Sequence, residues 1–130
     1  MQATPSNPDD IVCNHDLFTE HLANVVNTVL FDMHRDTSDD ITKCLTTIAR
    51  NQEIIEMCRT FIRDAVDLMD DENREYYCNK IHEKTTMMRK KTMQNEKAEQ
   101  NLVKMQRMYT LVCRELQHRG MEMPEPGGIV

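Results

Sequence analysis

Two pairs of cysteine and histidine could bind a metal ion. Cys78 and His82 lie four residues apart, which places both on one face of a helix, and Cys13 and His15 form a closer pair. Structural zinc sites take four ligands, commonly from paired motifs such as C-x-x-C. No C-x-x-C motif occurs in these 130 residues, and a long segment separates the two pairs. We therefore expect no metal site and no bound cofactor.

A catalytic thiol needs a neighbouring base that a third group orients. The remaining candidates for that base, His21, His34 and His118, stand among charged residues, and nothing in the sequence places one beside a cysteine. Glycine and proline are absent from residues 9–119. This excludes the glycine-rich loops of P-loop and dinucleotide sites from that stretch, because those loops need glycine where the backbone approaches phosphate. We expect a protein that is not an enzyme and binds no small-molecule substrate.

Three consecutive basic residues, Arg89, Lys90 and Lys91, are the main feature that could bind nucleic acid. Consecutive residues point in different directions around a helix, so these three do not form a stripe. Strong phosphate binding uses many basic contacts, usually on a basic domain. The chain has a net charge of −6, three Tyr, three Phe and no Trp for base stacking. A solvated helix face is the expected role.

The absence of glycine and proline over residues 9–119 favours long helices, because the turns of sheets rely on these residues. Apolar residues recur at helical spacing over 15–34, which predicts a first helix ending at a break over 35–37. A second helix follows this break and continues to Met69. Thr37 and Asp40, at its start, resemble a capping box. A third helix runs from about residue 74 to Gly120, which is placed to cap its carboxyl end.

The polar segment 70–73 separates two apolar repeats that do not share a register. Counting in sevens forward from Met69 gives residue 76, whereas counting back from Ile81 gives residue 74. We interpret this difference as a turn, with one continuous helix as the alternative. The predicted fold is an all-α, elongated three-helix bundle or coiled coil with a long C-terminal helix. Its predicted parts are a disordered leader (1–13), one helical domain (14–119) and a flexible tail (120–130).

Charge is divided unevenly along the chain. Residues 1–73 contain 15 acidic and 5 basic side chains, a net −10, and residues 74–130 contain 7 and 11, a net +4. Antiparallel helix packing would bring an acidic half against a basic half. The alternative is that each half meets a different partner.

Asn51 stands in the middle of an otherwise apolar heptad repeat on the second helix. A buried asparagine that pairs across helices lowers stability but can fix the register or the number of helices. We therefore assign Asn51 as a register-specifying residue. The alternative is a hydrated position at the edge of the repeat.

The three predicted helices differ in length, at about 20, 30 and 45 residues. If the second folds back on the third, about 15 residues of the third extend past it with one side apolar. An uncovered apolar stripe is unfavourable in water, so we expect a partner helix to cover it. The predicted partner-binding residues are Leu102, Met105, Met108, Tyr109, Val112 and Leu116.

Eleven methionines and a low apolar fraction indicate a thin, adaptable core that a partner completes. Five scattered cysteines without a visible signal sequence indicate reduced thiols in the cytoplasm or nucleus, and no apolar run is long enough to insert in a membrane.

We expect a non-catalytic coiled-coil subunit of an intracellular assembly of helical proteins, as a hetero-oligomer or a homo-oligomer. A cytoskeletal or mitotic complex of spindle or kinetochore type is favoured. The alternatives are a Mediator-type transcription complex, a vesicle-biogenesis or tethering complex, and a regulatory adaptor for exchangeable helical ligands.

Overall fold

The computed structural model describes residues 15–121. They form three helices: α1 (His15–Ala23), α2 (Asn27–Leu68) and α3 (Arg74–His118). No strand occurs within this part of the chain, so the all-α prediction with a long C-terminal helix is confirmed. The predicted leader and most of the predicted tail lie outside the described residues.

The predicted break at residues 35–37 is wrong. Helix α2 passes through this segment, and the first break lies at residues 24–26 instead. The Thr37 hydroxyl donates to the backbone oxygens of Met33 (2.7 Å) and His34 (3.1 Å). A hydroxyl that bonds to the preceding turn stays inside a helix rather than capping a new one. Thr37 is also buried, so the sequence that resembled a helix start is an interior segment.

The predicted turn at residues 70–73 is confirmed, and α2 and α3 are separate helices. The Asp70 carboxylate accepts hydrogen bonds from the backbone N–H groups of Glu72 and Asn73, both at 3.0 Å. The Asn73 side-chain amide donates to the backbone oxygen of Leu68 (3.2 Å). Short polar side chains thus satisfy the exposed backbone groups at both helix ends.

Gly120 ends α3 as predicted. Its φ of +68° is a left-handed conformation that glycine adopts without a steric penalty. The N–H of Gly120 donates to the oxygen of Gln117 and that of Met121 to the oxygen of Leu116, which is the pattern of a Schellman cap. Met121 then packs against the apolar cluster beside the cap.

The chain divides into two compact units. The described part of the first, here called the terminal unit, comprises residues 15–44 and 100–121. The second, here called the hairpin unit, is Leu45–Glu99 and contains the turn between α2 and α3. Helices α2 and α3 each contribute to both units.

The terminal unit has an apolar core built from all three helices. Its large buried side chains are 4% exposed or less, so they are removed from water. Half-buried Val25, Phe31, Met33 and Met108 pack around them. The core members are Phe18, Leu22, Leu30, Leu111, Val112 and Leu116.

Candidate functional site

The predicted partner-binding stripe does not form an uncovered surface. Val112 and Leu116 are fully buried against α1 and the start of α2, and Met108 packs on the same cluster. The expectation of an overhang is wrong because α2 has 42 residues against 45 in α3, rather than the predicted 30. The chain itself therefore covers the side that we expected a partner to cover.

The other members of that predicted stripe, Leu102, Met105 and Tyr109, are half-buried. The Tyr109 ring lies against His34, with 4.9 Å between the ring centroids. His34 is 2% exposed, and its Nε2 has no hydrogen-bond partner among the described residues. Burial lowers the pKa of His34 from its ordinary value of 6.5, since a protonated imidazole would be poorly solvated there.

The thiol beside this pair is not activated. Burial raises the pKa of Cys113, and its hydrogen bond with Tyr109 opposes that rise. Burial, together with this bond and the neighbouring thiol, raises the pKa of Tyr109 to about 12. Cys44 also has a raised pKa, from burial and the nearby carboxylate of Asp40. A raised pKa lowers the fraction of each thiol that is present as thiolate, the nucleophilic form.

The two cysteine and histidine pairs that were considered as metal ligands are only partly described. Cys78 is exposed on α3, as is His82 one turn later. Cys13 lies outside the described residues. Within the described residues, no group of three or more His, Cys, Asp or Glu side chains is placed to hold a metal ion.

Arg119 joins the ends of all three helices in the terminal unit. Its guanidinium donates to the backbone oxygen of Leu22, to Oδ1 of Asn27 and to Oε1 of Glu115, each at 2.8 Å. The carboxylate of Glu115 and the guanidinium of Arg119 are both largely buried. This network fixes the C-terminal end of α1 beside the start of α2, and sequence analysis did not single it out.

Asn51 is buried and pairs across the helices of the hairpin unit. It is 4% exposed, and its Nδ2 donates to Oδ1 of Asn95 at 2.9 Å. Asn95 is 7% exposed and donates from its own Nδ2 to the backbone oxygen of Ile48 at 3.3 Å. The alternative of a hydrated edge position is therefore wrong, because both carboxamides are enclosed and paired.

The core of the hairpin unit is thin. Its buried residues are small or polar, and most large apolar side chains are only half-buried or exposed. Along the interface between α2 and α3, the buried positions are Asn51, Cys58, Ala65, Asn95 and Ala98. The exposed large apolar side chains of this unit are Leu45, Met57, Val66, Leu68, Tyr76, Met87 and Met93.

Two of these exposed side chains, Leu68 and Met87, lie on one side of the hairpin with half-buried Ile54, Phe61 and Lys84. Ile54, Phe61 and Leu68 lie seven residues apart and so form one row on α2. The Nζ of Lys84 on α3 lies 5.3 Å from the centroid of the Phe61 ring, and Met87 is one turn from Lys84. We call this surface, formed by Ile54, Phe61, Leu68, Lys84 and Met87, the Phe61 flank.

Two further surfaces are centred on methionines that point away from the helix interface. Met57 is 72% exposed and Met93 is 70% exposed. Met57 shares a shallow groove with acidic neighbours on α2, and Met93 shares one with basic neighbours on α3. The acidic methionine patch is the groove lined by Glu56, Met57, Thr60, Phe61 and Asp64, together with Glu53 one turn before Met57, and the basic methionine patch is lined by Thr86, Arg89, Lys90, Met93, Gln94 and Lys97. Phe61 thus belongs both to the acidic methionine patch and to the Phe61 flank.

Comparison with known proteins gives no match: no family model fits the chain, and no curated protein and no solved structure resembles it significantly. Among the described helices, none has the combination of length and apolar character that crossing a membrane requires.

Proposed function

We propose that the protein is a non-catalytic helical subunit whose hairpin unit is completed by a helix of another protein. The observation that carries this proposal is the contrast within the hairpin unit. Small and polar residues occupy its interior, whereas Leu68 is 61% exposed and Met57 is 72% exposed. A further helix that packed on these large apolar side chains would remove them from water, and this burial would stabilise the assembly.

The Phe61 flank is the surface best suited to that helix. Its row of apolar side chains on α2 has the seven-residue spacing that a neighbouring helix needs for interlocking side chains. Half-buried Lys84 belongs to it, and half-buried Lys80 and Lys91 border it on α3. A partner helix with an apolar stripe edged by acidic residues would match this surface in both polarity and charge.

Exposed methionines favour a second candidate, a regulatory adaptor that binds exchangeable helices. Met57, Met87 and Met93 are all exposed in the hairpin unit, and flexible thioethers adapt to differing ligands. The lifetime of the complex separates the two candidates. A subunit co-purifies in a fixed ratio, whereas an adaptor exchanges its ligands during washing.

The experiment is purification of the full chain from cells, with quantification of the chains that co-elute. We expect one or more helical proteins in fixed ratio, and we expect Leu68→Glu combined with Met87→Glu to remove them. A matched control places two glutamates at exposed apolar positions of the terminal unit, Val29→Glu and Val103→Glu. Equal loss in both variants, or no chain in fixed ratio, would contradict the proposal. The co-eluting chains would also identify the process served, including the cytoskeletal or mitotic assembly expected from the sequence.

A further inference from the structure

The acidic and basic methionine patches lie on different helices of the same unit, both turned away from the helix interface. Asn51 and Asn95 face each other across that interface. At about 100° per residue, Met57 is turned about 120° from the direction of Asn51, and Met93 about 160° from that of Asn95. Neither methionine can therefore reach the other within one chain, and each patch is open to a second molecule.

The two patches carry opposite charge. Within the described residues, Arg89, Lys90 and Lys97 form no ion pair, so the basic patch retains its full charge. In the acidic patch Glu56 pairs with Arg59, and Asp64 lies 3.9 Å from Arg63. Those two pairs are exposed and thus weak. Glu53 has no partner within the described residues.

We propose that copies of this chain associate through these patches, with the acidic methionine patch of one copy on the basic methionine patch of the next. An antiparallel alignment that places Met57 on Met93 of the second copy also places Glu53 opposite Lys97, since each lies four residues from its methionine. The same alignment brings Thr60 opposite Lys90. The contact thus combines a desolvated methionine pair with one ion pair at its rim, Glu53 with Lys97, between surfaces of opposite charge.

The contact is heterologous, because the two surfaces that meet are different. A copy bound through one patch leaves its other patch free, so association continues beyond a dimer unless the arrangement closes into a ring. This inference goes beyond the proposed function, because it concerns copies of this chain and the two methionine patches, of which the acidic one adjoins the Phe61 flank at Phe61.

The test is sedimentation equilibrium of the purified, nuclease-treated full chain over a range of concentrations, at about 50 mM and about 500 mM salt. We expect the average mass to rise with concentration, to exceed that of a dimer, and to fall at high salt. A constant monomer mass at low salt would overturn the proposal. Association that occurs without nuclease treatment but is absent after it would also overturn the proposal, because nucleic acid would then link the copies.

Charge reversal gives a complementation test. One variant carries Glu53→Lys with Asp64→Lys, and the other carries Lys90→Glu with Lys97→Glu, all at exposed positions. We expect each variant alone to associate at least about tenfold more weakly, because like charges then face each other. An equimolar mixture should recover most of the association, since each variant supplies the surface that the other now matches.

The matched control for charge is Lys43→Glu with Arg107→Glu, two exposed positions outside both patches. It has the same charge change as the Lys90 and Lys97 variant and should associate like the unmodified chain. A mixture of the two patch variants that stays monomeric while each variant retains its helical content would overturn the proposal. A failure of this test leaves the co-purification result untouched, so the two proposals fail separately.

Discussion

Asn51 and Asn95 form a buried side-chain hydrogen bond, 2.9 Å long, that links the two helices of the hairpin unit. A slip of α3 by one heptad would place Met88 or Leu102 opposite Asn51, and neither side chain replaces the amide oxygen that accepts its hydrogen bond. The slip would leave buried carboxamides unpaired, at a cost of about 1–3 kcal/mol each. The pair thus favours one register at the expense of apolar packing.

The first prediction follows from this pair. Asn51→Leu leaves the Asn95 carboxamide without its partner, so we expect the free energy of unfolding to fall by about 1–3 kcal/mol. Asn51→Leu with Asn95→Leu should recover the stability while losing the single register. Denaturant unfolding measures the first effect and the number of amide signals in an NMR spectrum the second. A double variant with one set of signals and the native register would contradict the assigned role.

The second prediction concerns Leu116, which we had expected to bind a partner. It is fully buried, so Leu116→Ala should lower the free energy of unfolding by about 2–5 kcal/mol in the isolated chain. Val103→Ala, at an exposed position of the same helix, should change it by less than about 0.5 kcal/mol. Equal effects in thermal unfolding would show that the apolar cluster does not form without a partner.

The third prediction is a dependence of stability on pH. Because burial lowers the pKa of His34, the unfolded chain binds a proton more readily than the folded one near the ordinary pKa of 6.5. The contribution of His34 to the free energy of unfolding is therefore fully present above that pH. It is lost as the pH drops below 6.5, so the free energy of unfolding falls by at most about 1.4 kcal/mol per pH unit. His34→Leu should flatten the profile between about pH 7.5 and 5.5. His82→Gln, at an exposed histidine, should leave it unchanged, and a profile that His34→Leu does not alter would contradict the account.

The fourth prediction concerns Arg119, whose side chain holds α1 through the backbone oxygen of Leu22. Arg119→Met removes the hydrogen bonds while retaining the apolar stem. We expect faster hydrogen exchange at 15–23 and a loss of about 1–3 kcal/mol in stability. Arg114→Met, at an exposed position one turn away, provides the control. Unchanged exchange in α1 would show that apolar packing alone holds it in place.

Periodicity and end-capping residues were enough to predict the long helices, the turn at 70–73 and the cap at Gly120. They did not distinguish a hydroxyl that caps a helix from one that bonds inside it. Thr37 has a sequence typical of a helix start, yet its hydroxyl bonds to the preceding turn. Because this error shortened α2, it also produced the incorrect overhang at Val112 and Leu116.

The partner of Asn51 was missed, although the sequence contains a signal for it. Asn51 lies 22 residues before Asn73, and Asn95 lies 22 residues after it. In an antiparallel hairpin with its turn at 70–73, Asn51 lies 19 residues before the turn and Asn95 lies 22 residues after it, so the two polar positions come close to each other across the hairpin. The methionine patches have a weaker signal in the sequence, which is an apolar residue flanked by like charges on a polar helix face. Met93, which stands between Lys90 and Lys97, is an example.

The most direct test of the central claim is hydrogen exchange of the full chain, alone and in the assembly purified from cells. If a partner helix completes the hairpin unit, the added protection should fall on residues 54–68 of α2 and 80–91 of α3, which contain the Phe61 flank. The apolar core of the terminal unit should be protected equally in both samples. Added protection confined to residues 100–121, or none in the hairpin unit, would contradict the claim that the exposed apolar surface of the hairpin is where this protein binds its partners.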